Sequence, residues 1–238
     1  MQKYLHQLKF RMGNLVLGTQ RGLSTVGEFF GWQWLVYNPL VHLGFDRAAR
    51  RNAPVVYKAI QEVFPNDRRI IDVGCGTGRY LQHFKDAGLL AVGVEYSPKL
   101  RKICAKRRVA VYPFDVNVPT PHPQGAPFDL AISLEVAEHV PAALADEFVK
   151  YFHGLARTVI FTAAQPGQGG TGHVNEQPKQ YWVEMFQGFG FTLDTGTTNR
   201  VAKTIADGGA FKYLSNNISV FRAEVSNQWK PAEPNHRD

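Results

Sequence analysis

Residues 70–78 read IIDVGCGTG: a short apolar run carrying one acid, followed by glycine at 74, 76 and 78. A run this short, bounded by turn residues, predicts a strand buried on both faces. The glycines permit positive φ and let a ligand approach the backbone with no Cβ in the way. A buried strand that runs into such a loop and then into a helix places a ligand at the carboxyl end of a parallel strand.

The rest of the chain repeats that rhythm. The pattern predicts a helix over 55–64, a strand over 69–73, a helix over 79–87 and a second apolar strand over 90–95. Ser97-Pro98 then supplies a helix cap and a first-turn proline, with the helix running to about 106. Strands follow over 109–113 and 128–134, a helix over 141–152, a strand over 157–162, a helix over 178–187, and strands over 190–194 and near 217–224. Alternating strand and helix predicts an α/β fold with a doubly wound, mainly parallel sheet covered on both faces. Residues 1–53 stand apart, holding Phe29-Phe30, Trp32, Trp34 and Phe45 among glycine and proline interruptions, and are expected to form a cap or lid. The main domain is expected over 54–226, with a tail over 227–238.

A chain of 238 residues with 44% apolar content can bury a full core and is expected to form one domain. It contains no apolar run of about 18 residues and no signal-peptide core near Met1–Arg11, so a cytoplasmic protein is expected. Two cysteines, Cys75 and Cys104, make neither a disulfide framework nor a CxxC metal pair. Net charge is +7. Two basic clusters contribute, Arg47, Arg50 and Arg51, then Arg101, Lys102, Lys106, Arg107 and Arg108. Solvated helix faces are the plainer reading, because a nucleic-acid groove would interleave exposed aromatics and the second cluster has none.

Spacing around the glycine loop narrows the ligand. A dinucleotide fingerprint GxGxxG begun at Gly74 needs glycine at 79, where Arg79 stands. Asp72 would repel a pyrophosphate and suits an ammonium, such as that of a methionine moiety. Glu95 ends the second strand, where an acid accepts ribose hydroxyls. Asp115, just past the third, is placed to accept from an adenine amino group. Three acids at successive strand ends beside one glycine loop point to a ligand that is cationic at one end and a nucleoside at the other.

The segments IIDVGCGTGRYL, VGVEYSP, FDVN and FDLAISLEVAEHVP resemble consecutive motifs of the class I S-adenosylmethionine (SAM)-dependent methyltransferases, over about residues 54–224. The resemblance implies a Rossmann-like, seven-stranded sheet whose last strand, within SNNISVFR, runs antiparallel. It implies SAM as cofactor, held by Asp72, Gly74, Cys75, Gly76, Gly78, Glu95 and Asp115. Tyr96 would lie near the adenosine, and the backbone of Ser133, Leu134 and Glu135 would touch the cofactor.

On the acceptor side, Asp129 is expected to fix its strand rather than react. Glu135, Glu138 and His139 form an ExxEH spacing, and His173 stands in the loop QPGQGGTGHVN after the fifth strand. These four could turn ligands toward one cavity for Mg²⁺ or Zn²⁺. Alternatively His139 or His173, with Glu138, serves as a metal-free base. The quartet resembles two metal-using groups, one acting on catechol-like hydroxyls and one on the terminal 2′-hydroxyl of small RNAs. Tyr181 and Trp182 are candidates for the acceptor pocket or for plain core. The expected function is methyl transfer to an oxygen or nitrogen of a small-molecule acceptor, such as a sugar or secondary-metabolite intermediate. An RNA 2′-O-methyltransferase and a non-catalytic SAM-binding module are the alternatives, and a nucleic-acid partner is not favoured.

Overall fold

The computed structural model describes residues 39–224. The aromatic segment before Pro39 and the tail expected over 227–238 lie outside the described residues. Helix α1, Pro39–Val63, leads to β1, Arg69–Val73, then α2, Arg79–Asp86, and β2, Leu90–Glu95. Helix α3, Pro98–Lys106, β3, Ala110–Pro113, and β4, Phe128–Leu134, follow. Beyond two short 3₁₀ turns come α4, Ala145–Lys150, and β5, Ala156–Thr162. The remainder is α5, Lys179–Gly188, β6, Phe191–Leu193, α6, Thr195–Asp207, α7, Lys212–Asn217, and β7, Ser219–Ala223.

The strands make one seven-stranded sheet in the order β3-β2-β1-β4-β5-β7-β6. β1 pairs in parallel with β2 and with β4, and β4 in parallel with β5. β7 is antiparallel to both β5 and β6. This is the doubly wound α/β arrangement with a reversed last strand. β1 explains the layering: its side chains alternate across the sheet, as the pleat demands. Ile70 joins Ile60, Leu81, Phe84, Leu130 and Ile205 on one face. Ile71 and Val73 join Phe128, Phe148, Phe161, Trp182 and Phe186 on the other. Trp182 is thus core, its ring 5.4 Å from that of Phe161.

Four elements differ from the sequence expectation. The helix expected over 55–64 is the last part of α1, which begins at Pro39 and runs through Pro54. The helix expected over 141–152 is divided into a 3₁₀ turn, Ala142–Leu144, and α4. Helices α6 and α7 fill a stretch that carried no expectation. α6 is rich in threonine, a poor helix former. It is started by Asp194, whose carboxylate accepts from Thr197 N at 2.9 Å.

Gly93, in the middle of β2, lies against the glycine loop. A Cβ there would stand 2.6 Å from Leu81 Cδ1 and 2.7 Å from Cys75 Sγ. The Gly93→Ala variant is expected to lose about 1–3 kcal/mol from this overpacking, measured by urea unfolding. An unchanged midpoint would show that the loop yields freely.

Candidate active site

Strand order reverses between β1 and β4, and the loops leaving their carboxyl ends open the crevice where α/β sheets hold ligands. The glycine loop forms one wall. Gly74 and Cys75 donate their N–H groups to Val94 O, at 2.9 and 3.1 Å, which ties the loop to β2. Gly74 has φ 80°, and a Cβ on it would meet Val136 at 2.6 Å. Gly76 has φ 55°, and a Cβ there would meet nothing within 4 Å, so the loop turns an uncluttered backbone surface outward. Gly78 begins α2 as its left-handed cap.

Asp72 is 3% exposed, and its Oδ2 has no hydrogen-bond partner. Burial first, then the neighbouring Glu95, push its carboxyl up to about 8. An orphaned acid beneath an open glycine loop fits a cationic ligand head. Glu95 accepts from Gly76 N at 2.9 Å and Ser97 N at 2.7 Å, so one carboxylate ties the first two loops of the crevice together. Burial raises its pKa against the pull of those N–H groups. Tyr96 is 65% exposed beside it. Asp115 closes a turn, its Oδ1 accepting from Asn117 N at 2.9 Å. Ser133 Oγ donates to Val73 O at 3.0 Å, across the β1–β4 seam. Asp129 holds Arg68 N and Arg69 N at 2.9 and 2.8 Å, the fixing role expected for it.

Asp46, on α1, was not legible in the sequence. Its carboxylate accepts from Thr77 Oγ1 at 2.6 Å, from Arg79 Nη2 at 2.9 Å and from Arg107 Nη2 at 2.7 Å. Arg79, the residue that breaks the dinucleotide spacing, is therefore one half of a clamp between α1 and the glycine loop. Burial pushes the Asp46 carboxyl up, but hydrogen bonds from Arg79 and Thr77 and the charge of Arg107 hold it at about 2.

Across the crevice, the 3₁₀ turn Ala137–His139 brings Glu138 and His139 to His173. One ligand atom from each of the three lies within 4.8 Å of the others. Glu138 is fully buried, and neither carboxylate oxygen has a hydrogen-bond partner. Burial, then Glu135 and Glu176, push its carboxyl well above the usual range. Burial also lowers His139 to about 4, so its ring is neutral at physiological pH. His139 Nδ1 lies 2.9 Å from Gly172 O, and a carbonyl only accepts, so Nδ1 carries the hydrogen. His173 Nδ1 lies 2.7 Å from Glu176 Oε1, and its Nε2 is 3.8 Å from Glu138 Oε1. The Phe45 ring, on α1, stands 6.2 Å from that of His139.

Glu135 does not join this group. It takes a left-handed φ of 57°, and its carboxylate accepts from Gln168 Nε2 at 2.7 Å and Asn217 Nδ2 at 3.1 Å. The ExxEH spacing therefore delivers two of its three residues to the cluster, because the backbone reverses at the first.

Residues 45–195 match the family described as a methyltransferase domain, more than half of the chain. The chain belongs to the class I SAM-dependent methyltransferases. A dTDP-4-amino-2,3,4,6-tetradeoxy-D-glucose N,N-dimethyltransferase of Saccharopolyspora spinosa is 29% identical over 119 residues, covering 47% of this chain and 47% of the relative. The match thus spans about half the length of that relative. The sugar N-methyltransferase KedS8 of a Streptoalloteichus species has a similar fold, with TM-score 0.56, 17% identity and coverage of 73% of this chain and 87% of that one. So does CalS10, an amino pentose methyltransferase of Micromonospora echinaspora, with TM-score 0.55, 16% identity and coverage of 79% and 98%. SAM is the cofactor of this family, and the orphaned Asp72 oxygen and the open Gly76 surface fit it. Among the described residues no helix is long and apolar enough to cross a membrane.

The Asp46 clamp carries a pH dependence with a definite sign. Its folded pKa of about 2 lies below the ordinary 3.8, so its contribution is complete above pH 4 and is lost as pH falls through 2. Asp46→Asn is expected to cost on the order of 2 kcal/mol at neutral pH. The gap from the parent protein should close as the solution is acidified, in denaturant melts run at several pH values. A gap that stays constant with pH would contradict the clamp.

Proposed function

We propose that this protein transfers the methyl group of SAM to an oxygen or nitrogen of a small polar acceptor, such as a sugar or secondary-metabolite intermediate. The observation that carries the reading is the group of buried Glu138 with half-buried His139 and His173, set beside the crevice as a polar cluster. The amino-sugar acceptor named for the relative from Saccharopolyspora spinosa supports the same class.

In this reading Asp72 receives the ammonium of the cofactor's methionine end. Glu95 keeps a second lone pair on each oxygen for the ribose hydroxyls. Asp115 and Tyr96 bound the adenine, and the backbone of Ser133, Leu134 and Glu135 forms the floor. Bound SAM supplies a methyl already activated on a sulfonium, so the protein's main task is alignment. The acceptor must still lose a proton. Both rings hold hydrogen on Nδ1, which leaves Nε2 as the basic nitrogen of each, and His173 is the base beside Glu138.

A second reading is favoured by the clustering itself. Glu138, His139 and His173 are one carboxylate and two imidazoles, a donor set that suits Zn²⁺ and would accept Mg²⁺ with water completing its shell. Each imidazole also donates its other N–H to an oxygen, as metal-bound histidines do. A metal there would lower the pKa of an acceptor hydroxyl.

Asp72→Asn is expected to abolish SAM binding in calorimetry. In the parent protein Asp72, held at about 8, should give up its proton to bind the ammonium, so affinity should fall up to about tenfold per pH unit below 8. Affinity that is flat from pH 6 to 8 would remove Asp72 from that role. Glu138→Gln and His139→Gln should lower turnover, with amino sugars and simple hydroxyl compounds as acceptors, by about 100-fold while SAM affinity holds. Full turnover in EDTA would eliminate the metal. A steep loss of activity with salt would favour RNA as the acceptor, and no S-adenosylhomocysteine from any acceptor would favour a binding module.

A further inference from the structure

The loop after β5 folds back over Glu138. Val174 N and Asn175 N both donate to the Glu138 main-chain carbonyl, at 2.9 and 3.0 Å, which pins the loop to the turn carrying Glu138 and His139. Glu176 stands at the end of this loop and organises it. Its Oε2 accepts from Gly167 N at 2.9 Å, and its Oε1 accepts from Gly169 N at 2.8 Å and from His173 Nδ1 at 2.7 Å.

Each oxygen of the Glu176 carboxylate accepts a backbone N–H, so the group stands as an acceptor, and the hydrogen of the 2.7 Å bond belongs to Nδ1 of His173. A neutral imidazole has one such hydrogen, which leaves the lone pair on Nε2. That nitrogen stands 3.8 Å from Glu138 Oε1, and the ring lies 5.0 Å from that of His139, edge to face. Gly170 makes room for it, since a Cβ there would collide with Nε2. The same loop supplies the Gly172 carbonyl that sets His139. One segment thus fixes the tautomers of both rings.

We propose that Glu176 is the positioning residue of the acceptor site, holding His173 with hydrogen on Nδ1 so that its Nε2 lone pair faces Glu138. This rests on the acceptor-site reading above only for its consequence in turnover; the tautomer itself follows from the loop. If Glu176 served merely to tie Gly167 and Gly169, its removal would loosen the loop without a defined change in the His173 ring.

The experiment is ¹⁵N-histidine labelling of the full chain with long-range ¹H–¹⁵N correlation at neutral pH, and His173→Gln to assign the ring. The parent protein should show His173 with hydrogen on Nδ1 alone. Glu176→Gln should populate the Nε2–H form and lower kcat about 10–100-fold with SAM affinity unchanged, and Glu176→Asp should restore part of both. An Nε2–H ring in the parent protein, or a spectrum unaltered in Glu176→Gln, would overturn the proposal. If Glu176→Gln fails to fold, the parent spectrum alone decides. A parent protein that methylates no acceptor would count against the acceptor-site reading, while its His173 spectrum would still decide for or against Glu176.

Discussion

Strand β1 pairs in parallel with a strand on each side, and that arrangement decides where the chemical groups of this protein can stand. Parallel neighbours point their carboxyl ends the same way, so the loops after β1, β2 and β4 converge on one edge. Burial of β1 on both faces leaves Asp72 nowhere to be solvated, and the reversal of order at β4 opens the space above it. Glu95 then ties two of the converging loops together through Gly76 and Ser97. The 3₁₀ turn after β4 and the loop after β5 build the opposite wall.

Much of this was legible because it is local. The apolar runs and their spacing announce the sheet, and the glycine spacing with Asp72, Glu95 and Asp115 points to a SAM-like ligand. What was not legible depends on partners far apart in the chain. Asp46 meets Arg79 at a separation of 33 residues, and nothing near Asp46 marks it out. α6 was invisible because its threonines speak against a helix, and a cap with buried Val201 and Ile205 outweighs them. Glu135 shares a motif with Glu138, but one left-handed residue sends its side chain to Gln168 and Asn217. Glu176 did carry a local signal, standing three residues after His173, and its meaning emerges only when the glycine N–H groups gather on the same carboxylate.

The basic clusters also change meaning in three dimensions. Arg101 donates to Glu95 O at 2.8 Å and Tyr96 O at 2.6 Å. Arg107 reaches the Thr77 carbonyl and Asp46, and Arg51 donates to Gly209 O while lying over the Phe211 ring. Part of the +7 charge is therefore spent inside the fold, fastening α1 and α3 to the glycine loop and to neighbouring segments. Such residues are poorly disposed to grip a phosphate backbone, which weakens the case that net charge alone would make for nucleic acid.

The placement of β7 between β5 and β6 bears on how the protein is made. β6 leaves the ribosome before β7, yet among the described residues β7 is its partner in the sheet. Until the segment around Ser219–Ala223 emerges, β5 presents an open edge and β6 has no ladder to join. A nascent chain of this design has an incomplete sheet until β7, the last of its described strands, is synthesised. Its vulnerability to aggregation is thus concentrated between the synthesis of β6 and that of β7, well after the glycine loop itself has been made.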